Sequence, residues 1–430
     1  MRARELGIRI GLLEPGGLDA ITDVPGVQVG HATLISGEGS LVVGQGPVRT
    51  GVTVVVPHAD DVWTEPVFAG CHRLNGNGEL TGLEWVRESG FLGGVIGITN
   101  THSVGVVRDA LVFHAARARA NDSVFWSLPV VGETYDGALN DINGFHVKQS
   151  HVDAAIESAS GGPVAEGNVG GGTGMICHEF KGGIGTASRR VADADGGWVV
   201  GALVQANYGT RELLRIDGVP VGEEIPTSDV PSPWHEAERL EDAAMEAMAV
   251  QGGRRLPSAR RRADESAAAD RGTGPGAHPG LGDRGGPGGG SIIVVLATDA
   301  PLLPHQCERL AQRASLGIAR MGGIASHGSG DLIIAFATGN RGLSQTAGER
   351  DPRRTVTTRM VVDRGITPLF QAAVEATEAA IVNALLAATT MVGRDGITAH
   401  ALDHDRLIDI MARYGRGPTS NRRAPLATTD

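Results

Sequence analysis

Ser291 closes the glycine run of "GGPGGGSIIVVLATDAPL", Gly285 to Leu302, and opens an apolar, strand-like run. A hydroxyl at that junction can do two kinds of chemistry. It can attack the carbonyl of Gly290 in an N-to-O acyl shift that leaves an ester open to water, and Gly290 has no Cβ to obstruct the attack. The cut would make Ser291 an N-terminal residue, whose α-amine, with an ordinary pKa of about 7.7 to 8.0, is a base near neutral pH. A Gly-Ser pair by itself is an ordinary turn, so its surroundings decide.

Those surroundings hold several groups with the right chemistry. "SHGSGDLIIAFATGN" places Ser329 and Asp331 two residues apart at the head of an apolar run, so both side chains point the same way and the carboxylate can orient the hydroxyl. "VVGETYDGALND" offers Glu133, Tyr135 and Asp136, and "VQANYGTREL" offers Asn207 at a strand end. A phenol and an amide are suitable donors to a developing oxyanion.

Other constellations lead nowhere. "EGNVGGGTGM", Glu166 to Met175, lacks the Lys-Ser/Thr ending of a phosphate loop and does not follow a strand as GxGxxG; it reads as a tight turn lining the active cleft. His102, His178 and His327 offer a base for a triad, but the chain has no GxSxG elbow. Cys71 with His72, and Cys177 with His178, are adjacent pairs that rarely converge on one ion, so neither a metal nor a cofactor is expected.

The elements that must position these residues are short and buried. Strands are expected at "GVTVVVPH" from Gly51, "GGVIGITN" from Gly93, "GWVVGALVQAN" from Gly197, "SIIVVLATD" from Ser291 and "DLIIAFATGN" from Asp331. Their continuous apolar character implies sheets covered on both faces. Helical spacing follows Ser103, Trp234, Pro304 and Thr367, and these helices can supply the outer layers. Gly252 to Gly290, rich in Gly, Pro, Ala and Arg and free of aromatics, reads as a disordered surface segment. It serves either as a linker or as the approach to a cleavage point.

Composition narrows the partners. A chain of 430 residues with formal net charge -11 is poorly suited to nucleic acid or an anionic membrane. The 64 glycines are about twice the usual share and imply many tight turns and close backbone approaches. Three cysteines without CxxC spacing, and an N-terminus without an apolar signal core, make a reducing, cytoplasmic location the expectation.

Together "ITDVPGVQVGH", "VVGETYDG", "GNVGGGTGM", "VQANYG", "GGGSIIVVLATDAPL" and "SHGSGDLIIAF" resemble the DmpA-like self-processing serine aminopeptidases, the L-aminopeptidase/D-esterase and β-aminopeptidase family. The resemblance covers nearly the whole chain except Gly252 to Gly290. It implies a four-layer αββα sandwich made as a precursor and cut at Gly290–Ser291. Residues 1–290 would form the α chain and 291–430 the β chain of one domain, remaining together and assembling into homo-oligomers of αβ units. It further implies that Ser291 is the nucleophile, Ser329 and Asp331 the supporting hydroxyl and carboxylate, and Tyr135 with Asn207 the oxyanion pair. The substrates would be peptides, amides or esters with a free N-terminus, whose ammonium group calls for a carboxylate, Glu133 first and Asp136 second. Two alternatives stay open: acyl transfer of the ornithine-acetyltransferase type, against which Ser291 stands because those relatives use threonine, and an uncleaved, noncatalytic binding module.

Overall fold

A computed structural model describes residues 1–119, 125–240, 243, 290–343 and 355–417. In chain order the elements are β1 (Gln28–Ser36), β2 (Val48–Val56), β3 (Val67–Gly76), α1 (Leu83–Ser89), β4 (Phe91–Leu92), β5 (Ile96–Asn100), α2 (Val104–Arg117), β6 (Val130–Thr134) and α3 (Gln149–Glu157). There follow β7 (Ile176–Cys177), β8 (Phe180–Lys181), β9 (Gly183–Arg190), β10 (Val199–Asn207), α4 (Val221–Glu224), β11 (Ser291–Thr298), α5 (Pro304–Arg320), β12 (Gly330–Ala337), α6 (Thr367–Ala387) and α7 (His404–Arg413).

Two sheets form the centre. One is six-stranded in the order β4-β3-β12-β11-β10-β9, the other four-stranded in the order β1-β2-β5-β6. Strand alternation builds the layers, since successive side chains leave opposite faces. From β11, Ile292, Val294 and Leu296 join the core packed with the α5 residues Leu310, Ala311 and Ala314. Ile293, Val295 and Ala297 point the other way and meet Val55 and Ile98 of the second sheet. That second sheet turns Val52, Val54 and Val131 outward onto Val104, Val107 and Val152 of α2 and α3. The order of layers is therefore helix, sheet, sheet, helix, as the resemblance implies.

Every residue of β11 and β12 is buried, and both strands are apolar without interruption from Ile292 to Ala297 and from Leu332 to Ala337. They run parallel to each other, with Ile292 beside Asp331, and each has an antiparallel neighbour on its far side, β10 and β3. Residues 363–387 are long and apolar enough to cross a bilayer by length and composition, but 89% of their apolar 18-residue window is buried inside the protein. All three cysteines are buried and free.

The strands expected from Gly51, Gly93, Gly197, Ser291 and Asp331 are present, as are the helices after Ser103, Pro304 and Thr367. Of the helix expected after Trp234, residues 233–240 are helical, and its remainder lies mostly outside the described residues, as does 252–289.

Candidate active site

The parallel pairing of β11 and β12 brings the two serine motifs to one sheet end. Ser291, the first residue of β11, is 6% exposed, and its Oγ accepts the Gly330 amide at 3.0 Å. Gly330 lies between Ser329 and Asp331, so the expected spacing is realised around the nucleophile candidate. Ser329 Oγ lies 2.7 Å from Asp331 Oδ2 and 2.8 Å from the Ser326 carbonyl, two acceptors for its one proton. Burial pushes the Asp331 carboxyl up to about 6, against the hydrogen bond from Ser329 and the Ile292 amide, which favour the charged form. Its Oδ1 is buried without a hydrogen-bond partner among the described residues.

On the other flank of β11 the antiparallel ladder sets Asn207 opposite Ser291. The Asn207 amide is fixed at both ends. Its Oδ1 accepts the Ile176 N–H at 2.7 Å and its Nδ2 donates to the Tyr135 carbonyl at 2.9 Å. Gly290 packs on the same backbone: a Cβ there would lie 2.3 Å from the Asn207 carbonyl oxygen and 3.1 Å from Tyr208 Cα. The residue before Ser291 is thus held where only glycine fits without displacement.

Glu133, at position four of β6, comes close from the second sheet. Its Oε1 accepts the Glu79 amide at 3.0 Å and its Oε2 accepts the Thr101 hydroxyl. A Cβ on Gly78 would lie 3.0 Å from Glu133 Oε1 and 3.2 Å from Gly330 Cα, so that glycine alone separates the carboxylate from the backbone holding Ser291 Oγ. Burial raises the Glu133 carboxyl above its usual range, opposed by the Thr101 and Glu79 hydrogen bonds.

Two candidates sit differently from the expectation. Asp136 is fully buried, with Asn100 and Asn140 each donating to it at 3.0 Å, and burial pushes it up to about 6. The structure gives a substrate no access to it; it anchors the turn after β6. The Tyr135 phenol is 39% exposed and folds over Gly137, where an added Cβ would come within 2.3 Å of Oη, so it is the Tyr135 carbonyl that meets Asn207.

No motif in the sequence points to Asn75, whose Nδ2 reaches the Ser329 carbonyl at 2.6 Å and the Ser329 hydroxyl at 3.3 Å. Its run "LNGNGEL" mixes turn residues at the end of β3, and only pairing with β12 shows their purpose. Thr101, just past the end of β5, is likewise revealed only by strand pairing, here of β5 with β6, which sets its hydroxyl on Glu133. Of the histidines weighed for a triad, His178 is fully buried, its Nδ1 is 2.9 Å from the Thr210 carbonyl, and burial drives it down to about 4.

Known proteins resemble this chain over nearly its whole length. The model of peptidase family S58 matches residues 19–399. Beta-peptidyl aminopeptidase BapA of Sphingosinicella microcystinivorans is 47% identical over 416 residues, 96% of this chain and 93% of that protein. Its namesake from Sphingosinicella xenopeptidilytica is 41% identical over 417 residues, 96% and 92% of the two chains. Among solved structures, the L-aminopeptidase D-Ala-esterase/amidase of Ochrobactrum anthropi, described as a prototype serine aminopeptidase with a variant Ntn-hydrolase fold, superposes with TM-score 0.76 at 40% identity, over 96% of this chain and 99% of that one. With a family match spanning both serine motifs and relatives covering almost the whole chain, this protein belongs to peptidase family S58 and is a serine-type aminopeptidase.

Proposed function

We propose that the chain cuts itself at Gly290–Ser291 and then releases N-terminal residues, β-amino acids in particular, from short peptides and amides. The observation that carries the reading is the position of Ser291: first in its strand, Oγ on the Gly330 amide, Asn207 across the ladder. The β-residue preference rests on the two relatives named as β-peptidyl aminopeptidases.

In maturation, Ser291 Oγ attacks the Gly290 carbonyl carbon, the C–N bond to Ser291 breaks, and the Ser291 nitrogen takes up a proton to become an α-amine. Water then hydrolyses the ester and leaves Gly290 as a carboxylate. In turnover the same Oγ attacks the scissile carbonyl of the substrate. Its proton passes to the Ser291 α-amine or through Ser329 to Asp331, a carboxylate that burial has made a better base. Asn207 Nδ2 donates to the oxyanion, and the Tyr135 phenol, folded over Gly137 in the uncleaved chain, turns toward the site as the second donor we assign. Glu133 receives the substrate ammonium group, and nearness to Gly330 through Gly78 supports that role. Residues 1–290 and 291–430 stay together as α and β chains, because β11 is paired on both sides by strands, one from each part. Assembly of several αβ units belongs to the same reading.

The test is the intact mass and N-terminal sequence of purified protein beside Ser291→Ala, followed by hydrolysis of β-alanyl and L-alanyl p-nitroanilides. Two fragments, one beginning Ser-Ile-Ile-Val, and faster release from the β-alanyl compound are expected. A single active chain of full length would overturn the maturation step, and faster L-alanyl hydrolysis would overturn the β preference.

A further inference from the structure

Of the 38 lysines and arginines only two are lysines, Lys148 and Lys181, and Lys181 is fully buried. Its ammonium group is wrapped in main chain: Nζ donates to the carbonyls of Gly172 at 3.2 Å, Met175 at 2.9 Å and Gly182 at 2.9 Å. Three acceptors match the three protons of the charged form, and a neutral amine would leave one carbonyl unfilled. The glycine-rich segment before β7 therefore turns carbonyls, not amides, toward this group. It cradles a cation supplied by the chain itself, the opposite of a phosphate loop. Gly174 lets the turn close in, since a Cβ there would lie 2.3 Å from the Arg49 carbonyl oxygen and 2.8 Å from Asp136 Cβ.

One peptide unit connects this cradle to the active site. The Met175 carbonyl accepts Lys181, and the N–H of that same unit, belonging to Ile176, donates to Asn207 Oδ1 at 2.7 Å. A cation on the oxygen of a peptide makes its N–H a stronger donor, and hydrogen bonds in series reinforce one another by about 10–30% each. Drawing charge from Asn207 Oδ1 likewise strengthens Nδ2 as a donor. The Ile176 N–H also forbids the flipped amide, which would set two donors against each other.

We propose that Lys181 is a positioning residue for the reaction, holding and polarising the Asn207 amide through the Met175–Ile176 peptide. The proposal rests on the assignment of Asn207 to the oxyanion. Burial pulls Lys181 down to about 7, while the charges of Cys177 and Asp136 favour the ammonium, and the three carbonyls do the same. Of those two groups, Cys177 is itself pushed up to about 12 by burial, which leaves Asp136 as the anion facing Lys181 at neutral pH.

The experiment is kinetics of full-length Lys181→Met and Lys181→Gln on an aminoacyl p-nitroanilide, beside Asn207→Ala and the Lys181→Met/Asn207→Ala double variant. Removing an oxyanion donor outright costs about 10²–10³ in kcat, so weakening one is expected to cost roughly tenfold, with KM within about twofold. That loss should vanish in the Asn207→Ala background. Wild-type kcat in Lys181→Met, or a loss of equal size in both backgrounds, overturns the proposal. Wild-type kcat in Asn207→Ala overturns the oxyanion assignment itself and the proposal with it, an outcome distinct from either. Should the variants not fold, wild-type protein labelled with 15N at lysine Nζ has only two such nitrogens to resolve. An ammonium signal from Lys181 at the pH of maximal kcat supports the proposal, and a neutral amine there overturns it.

Discussion

Ser291 and Asn207 are partners across the antiparallel ladder of β10 and β11, the last residue of one strand facing the first of the other. The pairing ties the proposed nucleophile, by main-chain hydrogen bonds, to the amide we assign to its oxyanion, so no loop has to close to bring them together. It also dictates what precedes Ser291, because Gly290 must pass directly over the Asn207 carbonyl.

Gly290→Val is therefore expected to slow self-cleavage. The added Cβ would begin 2.3 Å from that carbonyl oxygen, and relieving the overlap must shift the scissile peptide or the end of β10. Strain of about 1–3 kcal/mol corresponds to roughly five- to 150-fold in rate. A time course of intact mass after synthesis reads it directly; cleavage at the wild-type rate would show that the tight passage of Gly290 has no bearing on processing.

Asp331 gives a pH dependence of definite sign. Burial raises its carboxyl to about 6, so below that pH it holds a proton and cannot accept one from Ser329. The rate should fall as pH drops through about 6, and Asp331→Asn should lose about 10²–10⁴ in kcat together with that limb. The raised value also means that the ionised carboxylate opposes folding above the ordinary 3.8, and a neutral amide removes the penalty. Asp331→Asn should thus melt at or above the wild-type temperature at pH 7. An inactive variant that melts lower would instead mark a structural role.

How far these relationships can be read in the amino-acid order differs from residue to residue. Ser329 and Asp331 were legible because two-residue spacing at a strand start survives in any sheet. The strands from Ser291 and Asp331 were legible as apolar runs, whereas β1, β3, β6 and β9 carry histidine, arginine, asparagine or glycine among their apolar residues and gave no such run. Glu133 and Asp136 look alike in "GETYDG", yet Asn100 and Asn140 cover the second, and nothing local announces which carboxylate faces the sheet end. Lys181 was hidden for a related reason: its partners are main-chain carbonyls, which every sequence possesses.

Tyr135 and Asn207 can be separated by experiment. Asn207 is pinned at both ends of its amide, and Tyr135 reaches it through a carbonyl that survives any side-chain change. Tyr135→Phe should leave Asn207 in place and remove only the phenolic donor. A fall of about 10²-fold in kcat with unchanged KM would make the phenol an oxyanion donor of full weight. Unchanged kcat would leave Asn207 as the side-chain donor and reduce Tyr135 to the carbonyl that orients it.

Glu133 is the residue that should distinguish an aminopeptidase from a general amidase. Its two oxygens already hold the Glu79 amide and the Thr101 hydroxyl, so Glu133→Gln keeps the shape and one acceptor while deleting the charge. A hydrogen bond to a charged partner contributes about 1.5–3 kcal/mol, which is roughly ten- to hundredfold in KM for a substrate with a free ammonium group. The same substitution should leave an N-acetylated or simple ester substrate unaffected, because neither brings a cation to the site. Steady-state constants for a paired free-amine and N-acetylated ester decide the matter. Equal effects on both would mean that Glu133 supports the backbone near Gly330 rather than the ammonium group, and the carboxylate that recognises the N-terminus would have to be sought elsewhere.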